Sequence, residues 1–301
     1  MKILLPVNDS KASLAAARFV AAHATQLGSA AKIVLINVQW PLSTQAVRVI
    51  GSAKVRSIYR VDADVALKPV QRLLSAAGIK APARIALGPA GECIAAAADR
   101  IKADLIVMGA RGHGAFKGLV FGSVTNAVLA HTQLPLLVVR ERRIDAPLTE
   151  SPQVGIAVDG SKFGKAAVRY VLKHRALFGT APRFTLIHVA PETVMPIIGG
   201  LGGAAIPVWS DAELKAIQDA SFSQALGSAR AKLKAAGVKF DEARLIGDPG
   251  ERIAGFAKKH KLDWLVAGSH GYGAFKAAVL GSVAMRIAVR CDTPLLLVRR
   301  A

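Results

Sequence analysis

Short apolar runs alternate along the chain with longer stretches of helical periodicity. In the first half the runs fall near residues 2–8, 32–39, 83–87, 104–109 and 135–140. They are rich in β-branched residues and bounded by turn formers, which predicts strands. Between them, apolar positions recur at helical spacing. This predicts helices near 11–28, from beyond Pro41 to about Gly78, near 90–102 and near 123–131. Such alternation implies right-handed crossovers and a parallel sheet covered on both faces.

The pattern then repeats. ILLPVNDSKAS at 3–13 aligns with VGIAVDGSKFG at 154–164, and VLINVQW at 34–40 with TLIHVAP at 185–191, both at an offset of 151. LGPAGECIAAAA at 87–98 aligns with IGDPGERIAGFA at 246–257, and QLPLLVVR with DTPLLLVRR, now at an offset of 159. Eight extra residues therefore lie between Val189 and Gly247, and the glycine-rich apolar stretch MPIIGGLGGAAIPVW at 195–209 is their natural place. The expected architecture is two tandem open α/β sandwiches, each a five-stranded parallel sheet with helices on both faces. The first domain is expected over 1–143 and the second over 152–301. The polar, proline-containing segment 144–151 would link them.

Composition agrees with a packed α/β protein: 52% of the 301 residues are hydrophobic and 20% charged. No apolar run reaches the length of a membrane span. The opening MKILLPVND reads as a strand rather than a signal peptide. Cys93 and Cys291 form no CxxC pair and no metal-ligand spacing, as expected of buried thiols in a reducing, cytoplasmic setting. The formal net charge is +20. Residues 1–145 hold 19 Lys and Arg against 8 Asp and Glu, and residues 146–301 hold 21 against 12. The excess covers both halves and favours anionic partners, among them nucleotides, nucleic acid and acidic lipid.

One phrase narrows that choice. GARGHGAFKGLVFGSV at 109–124 returns as GSHGYGAFKAAVLGSV at 268–283. Gly109, Gly112 and Gly122 have the same separations as Gly268, Gly271 and Gly281. Ser123 and Ser282 follow the last glycine at a predicted helix start. In an open parallel sheet, ligands bind beyond the carboxyl ends of the strands. A helix start offers unpaired N–H groups and a positive dipole end, which suit phosphate. Ser123 and Ser282 would cap the helix or donate to a phosphate oxygen. A Walker A loop is excluded, because no Gly-Lys precedes Ser or Thr in either copy. A Rossmann fingerprint fails as well, with Lys117 and Lys276 at its third glycine.

The spacing G-x2-G-x9-G-S, after a DLIVMG-like strand and before SV and a PLLVV strand, resembles the universal stress protein family over essentially the whole chain. That resemblance implies binding of ATP, or of ADP or AMP, with Mg2+ held through the phosphates. It implies phosphate contacts at Gly109, Gly112, Gly122, Ser123 and Val124, and at Gly268, Gly271, Gly281, Ser282 and Val283. It places adenosine contacts at Val38 and Val189 and at the acidic position after the first strand. The acidic position holds Asp159 in the second half but Asn8 in the first, with Asp9 displaced by one. It also implies pairing of the last strands, LPLLVV and TPLLLV, as an internal pseudo-dimer, with homodimerisation as a further option.

The remaining polar residues build no catalytic trio. His113, His270 and Arg111 lie in the glycine loops and read as surface or phosphate contacts. Neither a nucleophile–base–acid arrangement nor paired carboxylates for metal-assisted hydrolysis is present. The expected function is that of a cytoplasmic stress-response protein, a nucleotide-responsive sensor or scaffold read by a protein partner. The alternatives are a slow ATP hydrolase or nucleotidyl-transfer enzyme using the same sites, and a nucleic-acid-binding module. The last lacks aromatic residues among its basic ones.

Overall fold

The computed structural model describes residues 1–27, 31–110, 121–141, 150–192, 210–270 and 280–299. The expected linker at 144–149 and the stretch at 195–209 lie outside them. So do Gly112, Gly271, Arg111, His113, Lys117 and Lys276.

The first half runs β1 (Lys2–Pro6), α1 (Lys11–Ala22), α2 (Ala24–Leu27), β2 (Lys32–Gln39), α3 (Thr44–Ile50), α4 (Ser52–Ala76), β3 (Ala83–Leu87), α5 (Ala90–Ile101), β4 (Leu105–Ala110), α6 (Ser123–His131) and β5 (Leu136–Arg140). The second repeats it with β6 (Gln153–Ala157), α7 (Lys162–Lys173), a 3-10 turn (Arg175–Phe178), β7 (Arg183–Ala190), α8 (Asp211–Ala235), β8 (Phe240–Ile246), α9 (Pro249–Lys259), β9 (Trp264–Gly268), α10 (Ser282–Arg290) and β10 (Leu295–Val298).

Within each half the strands are parallel, in the orders β3-β2-β1-β4-β5 and β8-β7-β6-β9-β10. The two sheets are continuous. β5 and β10 pair antiparallel, with Leu136 opposite Leu297 and Val138 opposite Leu295, and every residue of both strands is buried. Two unpaired apolar edges thus become the centre of one ten-stranded sheet, which removes an aggregation hazard. Helices α1, α4, α7 and α8 bury one face of the sheet, and α5, α6, α9 and α10 bury the other.

The halves also meet through aromatic side chains. Phe19 of α1 lies edge-on to Trp264 of β9, with centroids 5.0 Å apart. His23 stacks on Phe19 at 3.9 Å and faces the same Trp264. One departure from the sequence pattern lies at this contact. The helix expected over 11–28 is interrupted at His23, whose backbone N–H and ring Nδ1–H both donate to the Phe19 carbonyl. A second departure is a break in the helix expected to reach Gly78. Gly51 sits at φ +85°, a conformation that side chains disfavour, and separates α3 from α4.

Candidate functional site

The first three strands of each half wind outward in one direction and the last two in the other. The switch falls between β1 and β4, and between β6 and β9. A crevice opens there beyond the carboxyl ends of the strands. The described candidate residues come to those ends. Asn8 follows β1, Val38 lies near the end of β2, Gly109 near the end of β4, and Gly122–Ser123–Val124 open α6. Asp159, Val189, Gly268 and Gly281–Ser282–Val283 hold the matching places around β6, β7, β9 and α10.

The helix mouths differ from the expected capping. Ser123 and Ser282 are not caps. The caps are Gly122 and Gly281, with no side-chain hydrogen bond to the first turn of either helix. Their extended ψ angles of 161° and 154° place each serine at the first helical position, exposed. A cap without a side chain leaves the leading amides of α6 and α10 available to an anion. Helices α1 and α7 are different: Ser10 and Ser161 accept from the backbone N–H of Ser13 and Gly164, each at 3.1 Å. In the second half the mouth is tied to its strand, since the Gly281 N–H donates to the Ser269 carbonyl at 2.7 Å.

Gly109 and Gly268 have a reason of their own to be glycine. A Cβ on Gly109 would collide with the Ala12 carbonyl, and one on Gly268 would lie 2.7 Å from Phe163 Cβ and 2.8 Å from its carbonyl carbon. The first turns of α1 and α7 lie directly on the ends of β4 and β9. These two glycines therefore bring a second helix start beside the crevice, a packing role that the sequence reading did not assign to them.

The acidic positions are held differently in the two halves. Asp159 Oδ1 accepts from the Ser161 N–H at 3.0 Å. Gly164 makes room for it, because a Cβ there would stand 2.7 Å from that oxygen. In the first half Ser13 occupies the place of Gly164. Its Oγ accepts from the Asn8 N–H at 3.1 Å, while Asn8 Oδ1 accepts from the Ser10 hydroxyl at 2.7 Å. One turn is thus built around a carboxylate and the other around a neutral amide.

Two residues that sequence reasoning passed over lie beside the second site. His188, in the quoted LIHV run, donates from Nδ1 to the Val158 carbonyl at 2.7 Å, and its Nε2 faces the Ser221 hydroxyl at 3.4 Å. Burial holds its pKa below the ordinary value, against the opposing pull of that carbonyl and of Asp159. Asn37 takes its place in the first half and donates to the Val7 carbonyl at 2.9 Å. Phe163 lies 5.2 Å, ring to ring, from His270, which touches Ser269 Oγ at 3.0 Å. The first half has Ala12 where Phe163 stands. The sequence signal for His188 was a histidine at alternate register with core residues of a strand, next to Val189.

Among the described residues no group of three His, Cys, Asp or Glu side chains converges to hold a metal, and no helix is long and apolar enough to cross a membrane. Cys93 is half-buried and Cys291 buried, both as free thiols.

Comparison with known proteins follows the duplication. The sequence model of the universal stress protein family matches twice, at residues 1–140 and 152–299. A universal stress protein of Mycolicibacterium smegmatis is 27% identical over 198 residues, 65% of this chain; the match spans 62% of that protein, less than two thirds of its length. YxiE of Bacillus subtilis, a universal stress protein, is 26% identical over 144 residues, 48% of this chain and 96% of its own. Among solved structures, a universal stress protein from Archaeoglobus fulgidus shares the fold over 100% of this chain and 98% of its own, with a TM-score of 0.69 at 21% identity. With both halves matched by the same family model, the chain belongs to the universal stress protein family.

Proposed function

We propose that this protein binds an adenine nucleotide, ATP or its relatives ADP and AMP, at the carboxyl ends of the strands in both halves. In this reading it serves in the cytoplasm as a nucleotide-responsive sensor or scaffold of the stress response. The observation that carries the proposal is the pair of glycine-capped mouths, Gly122–Ser123 and Gly281–Ser282, at the two topological switch points. Leading amides and a positive helix end receive phosphate oxygens, and the exposed serine hydroxyls donate alongside them. Gly109 and Gly268 hold a neighbouring helix start against the crevice, and Val124 and Val283 continue each mouth. Gly112 and Gly271 complete the loop motif in the sequence.

Val38 and Val189 border the adenosine end. There Asp159, its Oδ1 held by the Ser161 N–H, presents Oδ2 and a full negative charge to the ribose hydroxyls, where Asn8 presents a neutral amide whose oxygen is engaged by Ser10. The second site therefore binds more tightly than the first. Mg2+ is held through the phosphates, as hard cations with few protein ligands are. Charge-assisted hydrogen bonds of about 1.5–3 kcal/mol each bring three or four contacts to roughly micromolar affinity.

Native mass spectrometry of the purified chain with ATP, ADP or AMP tests the proposal. Up to two nucleotides per chain, the first bound at lower concentration than the second, is the expected result. A spectrum holding only the bare polypeptide at millimolar nucleotide overturns it.

A further inference from the structure

The two halves act as controls for one another away from the nucleotide crevices. In the first half a groove of about 450 Å³ lies between the edge strand β3 and helix α5. That volume falls in the range of small-molecule pockets. Its floor is apolar, with Ile36 of β2, Ala86 of β3, and Cys93 and Ala97 of α5. Arg84 and Arg100 line it as well.

In the second half the corresponding helix position to Ala97 is Phe256, which packs against the core of that sheet face and stacks on His260 at 4.0 Å. The position of Cys93 holds Arg252, whose guanidinium lies over Gly247. On the strand, Ala243 stands where the first half has Arg84, and it is buried. The first half has thus exchanged a phenyl group on the helix for a methyl group. On the facing strand it has exchanged a methyl group for a guanidinium. Volume removed from a packed face costs stability unless something fills it. Arg84 pairs in register with Ile36, so it stands on the sheet face that α5 covers. Arg84 and Arg100 are both exposed, and neither has a carboxylate within salt-bridge distance among the described residues.

We propose that this groove is a binding site for an organic anion with one apolar chain. The chain would lie on Ile36, Ala86 and Ala97, and the carboxylate or phosphate headgroup would sit between Arg84 and Arg100. Charge selects this occupant. A net charge of +20 attracts anions and opposes docking of a second copy of the same chain. Two unpaired guanidinium groups above an apolar floor match an amphiphilic anion better than a neutral lipid. The site shares no residue with the nucleotide crevice, so the proposal stands or falls independently of nucleotide binding.

Isothermal titration of the full chain with decanoate, decyl phosphate, decan-1-ol and inorganic phosphate tests it. Decanoate and decyl phosphate are expected to saturate a single site, the tighter of the two naming the headgroup. Decan-1-ol and inorganic phosphate are each expected to bind about tenfold or more weakly. Ala97→Phe gives the first half the side chain that the second already carries, and it should weaken decanoate by about tenfold or more. Arg84→Gln with Arg100→Gln should do the same, and because both positions are exposed this variant keeps the test open should Ala97→Phe fold poorly. ATP titrations of these variants should match the wild type. The proposal is overturned by an absence of saturable binding up to about 1 mM. Equal affinity for decanoate and decan-1-ol, or wild-type decanoate affinity in both variants, overturns it too.

Discussion

The two candidate crevices share their backbone and differ in their side chains. Each has a glycine-capped helix mouth, a glycine pressed beneath a second helix start, and a serine-capped turn after the first strand. Around that common frame, Asn8, Ser13, Asn37 and Ala12 on one side face Asp159, Gly164, His188 and Phe163 on the other. The lesson is a division of labour. In the proposed reading, phosphate is received by main-chain amides, which need only that the fold be kept, so both halves keep that part alike. The side chains around it have diverged, one half carrying a carboxylate and a phenyl ring, the other neutral amides and a methyl group.

Substitutions at matched positions of the two halves can break or sharpen this comparison. The largest effect is expected at the two glycines beneath the helix starts. Gly109→Ala drives its methyl group into the Ala12 carbonyl and should cost about 3 kcal/mol or more in a urea unfolding titration. Gly268→Ala meets Phe163 Cβ at 2.7 Å and its carbonyl carbon at 2.8 Å, a looser approach than at Gly109, and should cost less, about 1–3 kcal/mol. Equal costs would show that the two helix starts do not press on their strands as described.

Next in size is the acidic position. Asp159→Asn should weaken the tighter nucleotide site by about tenfold. Asn8→Asp combined with Ser13→Gly should strengthen the weaker site, as fluorescence titration with a labelled ATP would read. Capping comes third. Ser10→Ala and Ser161→Ala each remove a bond to the first helical turn and should cost about 1 kcal/mol. Ser123→Ala and Ser282→Ala remove no such bond and should stay within about 0.5 kcal/mol of wild type in stability. A loss of nucleotide affinity without loss of stability in the last two would separate binding from folding.

The smallest effect concerns pH. His23, His174 and His188 are all held below their ordinary pKa, chiefly by burial. An unfolded imidazole takes its proton near pH 6.5, and these folded ones only at lower pH. Between those values the unfolded chain binds more protons, so stability falls as pH drops below about 6.5 and is unaffected by these groups well above it. His188→Asn copies Asn37 and should flatten the fall of melting temperature with acidification. An unchanged slope would mean that His188 carries no part of it.

Much of this was legible in the amino-acid sequence, for physical reasons that also mark where legibility ends. Alternating strand and helix signals, written twice, specify a parallel sheet and a duplication, and apolar last strands such as LPLLVV mark an edge that wants a partner. The glycine spacing indicated a helix mouth. It could not say which residue caps it, because Gly122 and Ser123 are both good caps and only ψ decides. The helix breaks at His23, which faces Trp264 more than two hundred residues away, and no local periodicity carries that contact. Gly51 was a visible warning within a helical pattern. The role of Gly109 was hidden, since a glycine beneath a helix and a glycine facing a phosphate are spelled alike. The groove beside α5 is visible only once Ala97 and Phe256 are set on equivalent helices.

The central claim is that two mouths of equal backbone and unequal side chains hold the same nucleotide with unequal strength. Calorimetric titration of ATP into the wild type and into Asp159→Asn tests it most directly. The account predicts two sites per chain with distinct affinities in the wild type, collapsing toward a single weaker class in the variant. Absence of heat, or two sites whose affinities do not respond to Asp159→Asn, would contradict it.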